Sequence, residues 1–256
     1  MNYLSYKNLP VLGGLCSMEQ AARPGLSVEQ CVTRLKRYHY ALKRLSQIFI
    51  ARITAEPIYE LKSAFSLHGH YCAEHVTELR KRVGEMREPP LGLEIVPDPN
   101  LEIFFDEILG APSTEELLFG VYEKAVPALI RAITRHTEQT NPLADAPSVR
   151  VCRFALLELG DVRKFGEEAI RCLITETRRD ELKPWLDLLD EALAAAGDLD
   201  GTQPKTNKKI VRKHSAKPYH FASFPKRDER FPDPYNMSVN AEVFLYDDQY
   251  PADAKT

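Results

Sequence analysis

The sequence predicts an all-α protein, and three observations carry that expectation. Apolar residues recur at alternating steps of three and four through several long segments. Helix-start signatures precede those segments, and proline or glycine follows them. Two connections are short, while a longer crossing separates the second long segment from the third, which predicts two helical hairpins.

Residues 1–26 read as an N-terminal arm, because Pro10, Gly13-Gly14 and Pro24-Gly25 punctuate them too often for a long helix. The bundle domain is expected over residues 27–197. Ser27 and Gln30 form a capping box, and Cys31, Leu35, Tyr38, Leu42, Leu45 and Phe49 then repeat as a heptad after Val28. The opposite face carries Arg34, Lys36, Arg37, Lys43 and Arg44, a pattern that usually marks a solvated surface. Glu56-Pro57 ends this helix and opens the second, which is expected to run until Pro89-Pro90.

A short helix is expected from Pro99 to Leu109, closed by Gly110. Ser113 and Glu116 form another capping box, and Leu118, Tyr122, Ala125, Leu129, Ile133 and His136 define the inner side of the third long helix, kinked by Pro127. The fourth starts at residues 145–147, with the stripe Val151, Phe154, Glu158, Asp161 or Val162, Phe165, Ala169 and Cys172. A fifth, amphipathic helix is expected at residues 181–196, ending at Gly197. Residues 198–218 read as a basic flexible linker. Residues 219–256 read as a proline- and aromatic-rich extended tail, with a short strand at 241–246.

Composition narrows the function classes. A formal charge of -3 and a pI near 6.2 provide no basic field, so neither nucleic acid nor an acidic membrane surface is the expected partner. Five cysteines without a C-x-x-C pair point to a reducing, cytoplasmic compartment. No secretory signal region or membrane-length apolar run is read in the sequence. Glycine-rich phosphate loops, G-x-S-x-G, H-E-x-x-H and four-cysteine zinc patterns are likewise missing from it.

The chemistry-bearing stretch is residues 61–86. Leu61, Phe65, His68, Cys72, His75 and Leu79 share one helix face, which puts two imidazoles where the period demands apolar groups. Tyr71, Glu74 and Glu78 flank the same stripe. A single core histidine ordinarily pairs with a carboxylate or carbonyl, but two on one stripe, with Glu158 as an acidic counterpart on the fourth helix, are also able to hold a transition metal.

Over residues 27–176 this arrangement resembles the ferritin-like bundle of di-iron carboxylate proteins. The resemblance implies a site inside the bundle, with Glu60, His68, Glu74, His75, Glu123 and Glu158 as candidate metal ligands and Tyr71 as a catalytic candidate beside the metal. The implied cofactor is iron, as one or two ions, with manganese and zinc as alternatives. The ligand pattern departs from the family's. The first helix has no inner acid, Glu74 is adjacent to His75 instead of three residues before it, and Glu158-x-x-Asp161 lacks the histidine.

Two readings follow. One is a metalloprotein acting as an iron-dependent oxidase or oxygenase. The other is a degenerate, metal-free bundle that serves as an interaction or assembly scaffold, with His68 and His75 paired to Glu158 and the aromatic tail holding a protein partner or a second copy.

Overall fold

A computed structural model describes residues 3–86 and 91–231, and within them the protein is all-helical. The stop at Pro89-Pro90 and the tail from residue 232, including the strand expected at 241–246, lie outside the described residues.

A five-residue helix in the arm, α1 (Met18–Ala22), precedes α2 (Val28–Ile53) and α3 (Tyr59–Met86). The Ser27 capping box is present in full: Gln30 N donates to Ser27 Oγ at 3.1 Å, and Ser27 N donates to Gln30 Oε1 at 2.9 Å. Two orphan amides at the start of α2 are thereby satisfied. Ser46 Oγ donates to Gly69 O, and the rings of Phe49 and Phe65 lie 5.8 Å apart, so α2 and α3 run antiparallel along their length.

The crossing carries α4 (Pro99–Leu109), which Asp98 caps through the amide of Asn100. Next come α5 (Thr114–Leu118), a π-helical turn (Phe119–Ala125) and α6 (Val126–Gln139), which form one continuous rod. The wide turn sits just ahead of Pro127, whose missing amide and bulky ring disfavour the ordinary α register there. The rod then turns over residues 140–145 into α7 (Ala146–Leu173), and α8 (Glu176–Ala195) closes the helical part.

Contacts between named residues give the helix directions. Tyr38 donates to Ala132 O, Arg34 meets Gln139 and Phe49 meets Tyr122, so α2 opposes the α5–α6 rod. His68 meets Phe165, His75 meets Glu158 and Arg82 meets Ser148, so α3 opposes α7. The long crossing therefore leaves α3 and α6 pointing the same way.

The core stripe of α7 is Val151, Ala155, Leu159, Val162, Gly166 and Ala169. This differs from the apolar pattern expected from sequence. Phe154 is exposed, and Glu158 sits on the flank of the stripe with 37% of its side chain accessible. At Gly166 the stripe is small because α7 and the π-helical turn approach closely there. A Cβ on Gly166 would lie 2.2 Å from the ring of Tyr122, which no ordinary packing tolerates.

Helix α8 begins earlier than the expected residue 181, capped by Thr175, and buries Leu182, Trp185, Leu186, Leu189 and Leu193. Each such large side chain contributes roughly 1.5–3 kcal/mol of transfer free energy. Its end is a left-handed Gly197, with Asp198 N donating back to Leu193 O at 2.8 Å.

Residues 198–218, expected as a flexible linker, instead lie against the helices. Arg37, from the basic face of α2, is buried and donates to the carbonyls of Ala196, Asp198 and Leu199. Fully buried Glu107 on α4 accepts hydrogen bonds from the amides of Lys213, His214 and Ser215 and from Ser215 Oγ. A carboxylate buried in a core must be matched by donors, and the strap supplies them.

Candidate functional site

The α3 stripe places His68 and His75 in the interior, at 4% and 6% exposure. Seven residues of helix separate them, a rise of roughly 10 Å. Donors on one ion sit roughly 3–4 Å apart, so these two imidazoles belong to separate environments.

His68 is ringed by Phe49, Tyr122 and Phe165, and its Nδ1 lies 2.9 Å from Tyr122 Oη. Burial pushes its pKa down to about 4, so the imidazole is neutral near pH 7. Burial likewise raises the Tyr122 phenol well above its ordinary value, which keeps the hydroxyl available as a hydrogen-bonding partner.

His75 Nε2 lies 2.7 Å from Glu158 Oε2, which reaches in from the flank of α7. Between the two histidines, the thiol of Cys72 is pushed up to about 12, first by burial and then by the Glu158 charge. Cys72 therefore behaves as a small apolar filler.

The remaining candidates are directed elsewhere. Glu60 is exposed and bridged by both terminal nitrogens of Arg230. Glu123 is held by Arg179 through two bonds of 3.1 and 2.6 Å, and that guanidinium also covers the Phe119 ring. Glu74 is exposed on the outer side of α3, and Asp161 is exposed on α7. Tyr71 is partly buried against the core margin, with its ring 6.3 Å from that of His70. Among the six candidate ligands, the structure brings His75 and Glu158 together.

A second polar group lies at the far end of the same helices, where sequence reading had assigned its members only to helix stripes and starts. Cys31 on α2, His136 on α6 and Asp145 before α7 are all buried, and their donor atoms lie within 4.8 Å of one another. Cys31 Sγ donates to Asp145 Oδ2 at 3.5 Å, and Thr140 Oγ1 donates to the same oxygen at 2.9 Å. Arg82 holds Oδ1 at 3.0 Å and Ser148 Oγ at 2.7 Å. Burial alone would raise the Asp145 pKa, but the adjacent His136 imidazole and the polar hydrogens of Ser148, Thr140 and Arg82 hold it well below the usual range. The overlooked signal was His136, a polar residue on an inner stripe in the same sense as His68 and His75.

A groove of about 1190 Å³ opens between the start of α3, the end of α7 and residues 227–230. Its walls include Ile58, Leu61, Phe165, Ala169 and Leu173, and Lys164, Glu168 and Arg230 stand at its edge.

Comparison with known proteins finds no matching family, no similar curated protein and no similar solved structure. Among the described residues, no helix is long and apolar enough to cross a membrane.

Proposed function

We infer that this chain is a degenerate ferritin-like bundle that works as a protein-interaction or assembly scaffold. The observation that carries this reading is how the candidate ligands are engaged by the protein's own side chains. His75 meets Glu158, His68 meets Tyr122, and Glu123 and Glu60 are each held by an arginine. His68, Glu123 and Glu60 thus have hydrogen-bond partners within the protein, while His75 Nε2 lies 2.7 Å from the Glu158 carboxylate without hydrogen-bond alignment. The helix directions support the ferritin-like part of the reading, since the crossing leaves α3 and α6 parallel between two antiparallel hairpins.

The groove beside Phe165 and Ala169 is the partner surface in this reading, because its apolar wall and charged rim match the anatomy of a protein-binding patch. A second reading, an iron-dependent oxidase, rests on His75 and Glu158 as an adjacent imidazole–carboxylate pair on facing helices.

One experiment separates them. Tag-free protein is analysed for metal before and after Fe(II) addition, beside a His75→Ala, Glu158→Ala double variant, and affinity capture is compared for wild type and Ala169→Arg. Folded wild type that takes up no iron at His75 and Glu158, together with a partner lost in Ala169→Arg, is the expected result. Stoichiometric iron that disappears in a folded double variant overturns the scaffold reading in favour of the oxidase.

A further inference from the structure

His136 poses a problem that the scaffold reading leaves unsolved. It is 0% exposed, and neither ring nitrogen has a hydrogen-bond partner among the described residues. Leaving a buried polar group unpaired costs about 1–3 kcal/mol. Its Nε2 nevertheless points into the Cys31–Asp145 contact, 3.6 Å from Asp145 Oδ2.

The spacing of the three donors is informative. A tetrahedral zinc ion with bonds of ~2.3 Å to sulfur and ~2.0 Å to nitrogen and oxygen has ligand–ligand edges of roughly 3.3–3.6 Å. The observed Sγ–Oδ2 and Nε2–Oδ2 separations are 3.5 and 3.6 Å. An ordinary Cys–Asp hydrogen bond explains the first edge, but it does not explain the second, which ends on an imidazole without a hydrogen bond.

From this geometry we propose that Cys31 Sγ, His136 Nε2 and Asp145 Oδ2 form a structural site for a divalent zinc-like cation. Thr140 Oγ1, 3.7 Å from Sγ and 2.9 Å from Oδ2, lies beside the fourth corner, which it or a water molecule completes. Arg82 occupies only Oδ1, so it orients the carboxylate and leaves Oδ2 for the metal, the role outer partners take in metal sites. Binding replaces the Cys31 thiol proton, which leaves to solvent, and one thiolate with one carboxylate then balances the charge of the ion. The protein supplies no electron and none is needed.

The ligands come from the first turn of α2, the last turn of α6 and the residue ahead of α7. The ion therefore ties three chain segments at one end of the molecule, where α3 contributes Arg82, seven residues along the helix from His75. Its buried, protein-enclosed setting is that of a structural site.

The test uses the full chain, stripped with chelator, in a Cys16→Ser, Cys172→Ser background so that the less buried thiols do not contribute. Zinc content, thermal unfolding with added Zn(II), and the thiolate-to-metal absorption of Co(II) are measured. Near one equivalent of zinc, a higher melting temperature and a cobalt–thiolate band are expected. All three are lost in Cys31→Ser and His136→Gln and kept in His75→Ala, with circular dichroism checking the fold. Arg82→Gln weakens uptake by roughly 10–100-fold. Folded background protein that gives no cobalt–thiolate band overturns the proposal, even if the ligand variants do not fold. A band that survives in folded Cys31→Ser overturns it as well. Metal kept in Cys31→Ser but lost in His75→Ala would overturn this site while supporting the bundle-centre reading.

Discussion

Nδ1 of His68 on α3 and the phenolic oxygen of Tyr122 in the π-helical turn lie 2.9 Å apart, inside a cage of aromatic rings. Each is the other's polar partner in an apolar interior. The wide turn ahead of Pro127 and the glycine at 166 together give the Tyr122 ring its place.

The first prediction concerns pH. His68 is held neutral in the fold, with a pKa of about 4 against an ordinary value of 6.5. The unfolded chain therefore takes up the proton first as pH falls, so stability declines between pH 6.5 and about 4 and is level above 6.5. The full loss is on the order of 3 kcal/mol. His39, also lowered to about 4 by burial, adds a decline in the same window. Urea unfolding of wild type and His68→Asn at pH 7, 5.5 and 4.5 checks this, and a variant that keeps the wild-type slope would contradict the assignment.

Tyr122→Phe removes a hydroxyl and leaves Nδ1 of His68 without its partner. A destabilisation of about 1–3 kcal/mol is expected. The double variant Tyr122→Phe, His68→Leu should cost less than the sum of its single changes, because the stranded nitrogen is gone. Denaturant titrations of all four proteins measure that coupling.

Gly166→Ala should be more damaging than an alanine in a helix normally is. Alanine is the better helix former by about 1 kcal/mol, yet its methyl group would meet Tyr122 at 2.2 Å. Overpacking of this kind typically costs 1–3 kcal/mol. Gly160, which has nothing within 4 Å of its Cβ position, is the control: Gly160→Ala should be neutral or stabilising.

Glu107 anchors the strap through three backbone amides and a hydroxyl. Glu107→Ala should free residues 208–217 from the surface of α4 and give the backbone around Lys208, Lys209 and Arg212 the mobility that trypsin cleavage requires. Hydrogen bonds to a charged group contribute about 1.5–3 kcal/mol each, so cleavage should accelerate by at least about tenfold. Unchanged cleavage kinetics in the folded variant would mean that Arg37 and Arg212 hold the strap without Glu107.

Local chemistry made much of the helical architecture legible. Ser27 with Gln30, Ser113 with Glu116, Pro57 and Gly197 act within a turn of their own positions, so their effect is written in neighbouring residues. The heptad of α2 and the buried positions of His68 and His75 follow from the same short-range period.

What the tertiary structure decided depends on distance across the fold. The inner stripe of α7 runs through Ala155, Gly166 and Ala169, and the small size of Gly166 is informative only once Tyr122 is known to press against it. The segment 198–218 looks like a solvated linker until the buried carboxylate of Glu107 and the guanidinium of Arg37 are seen to meet its backbone amides and carbonyls. Cys31, His136 and Asp145 lie far apart along the chain and meet where α2, α6 and α7 converge. Periodicity determines which face of a helix is buried, whereas convergence is set by how several such faces pack at once.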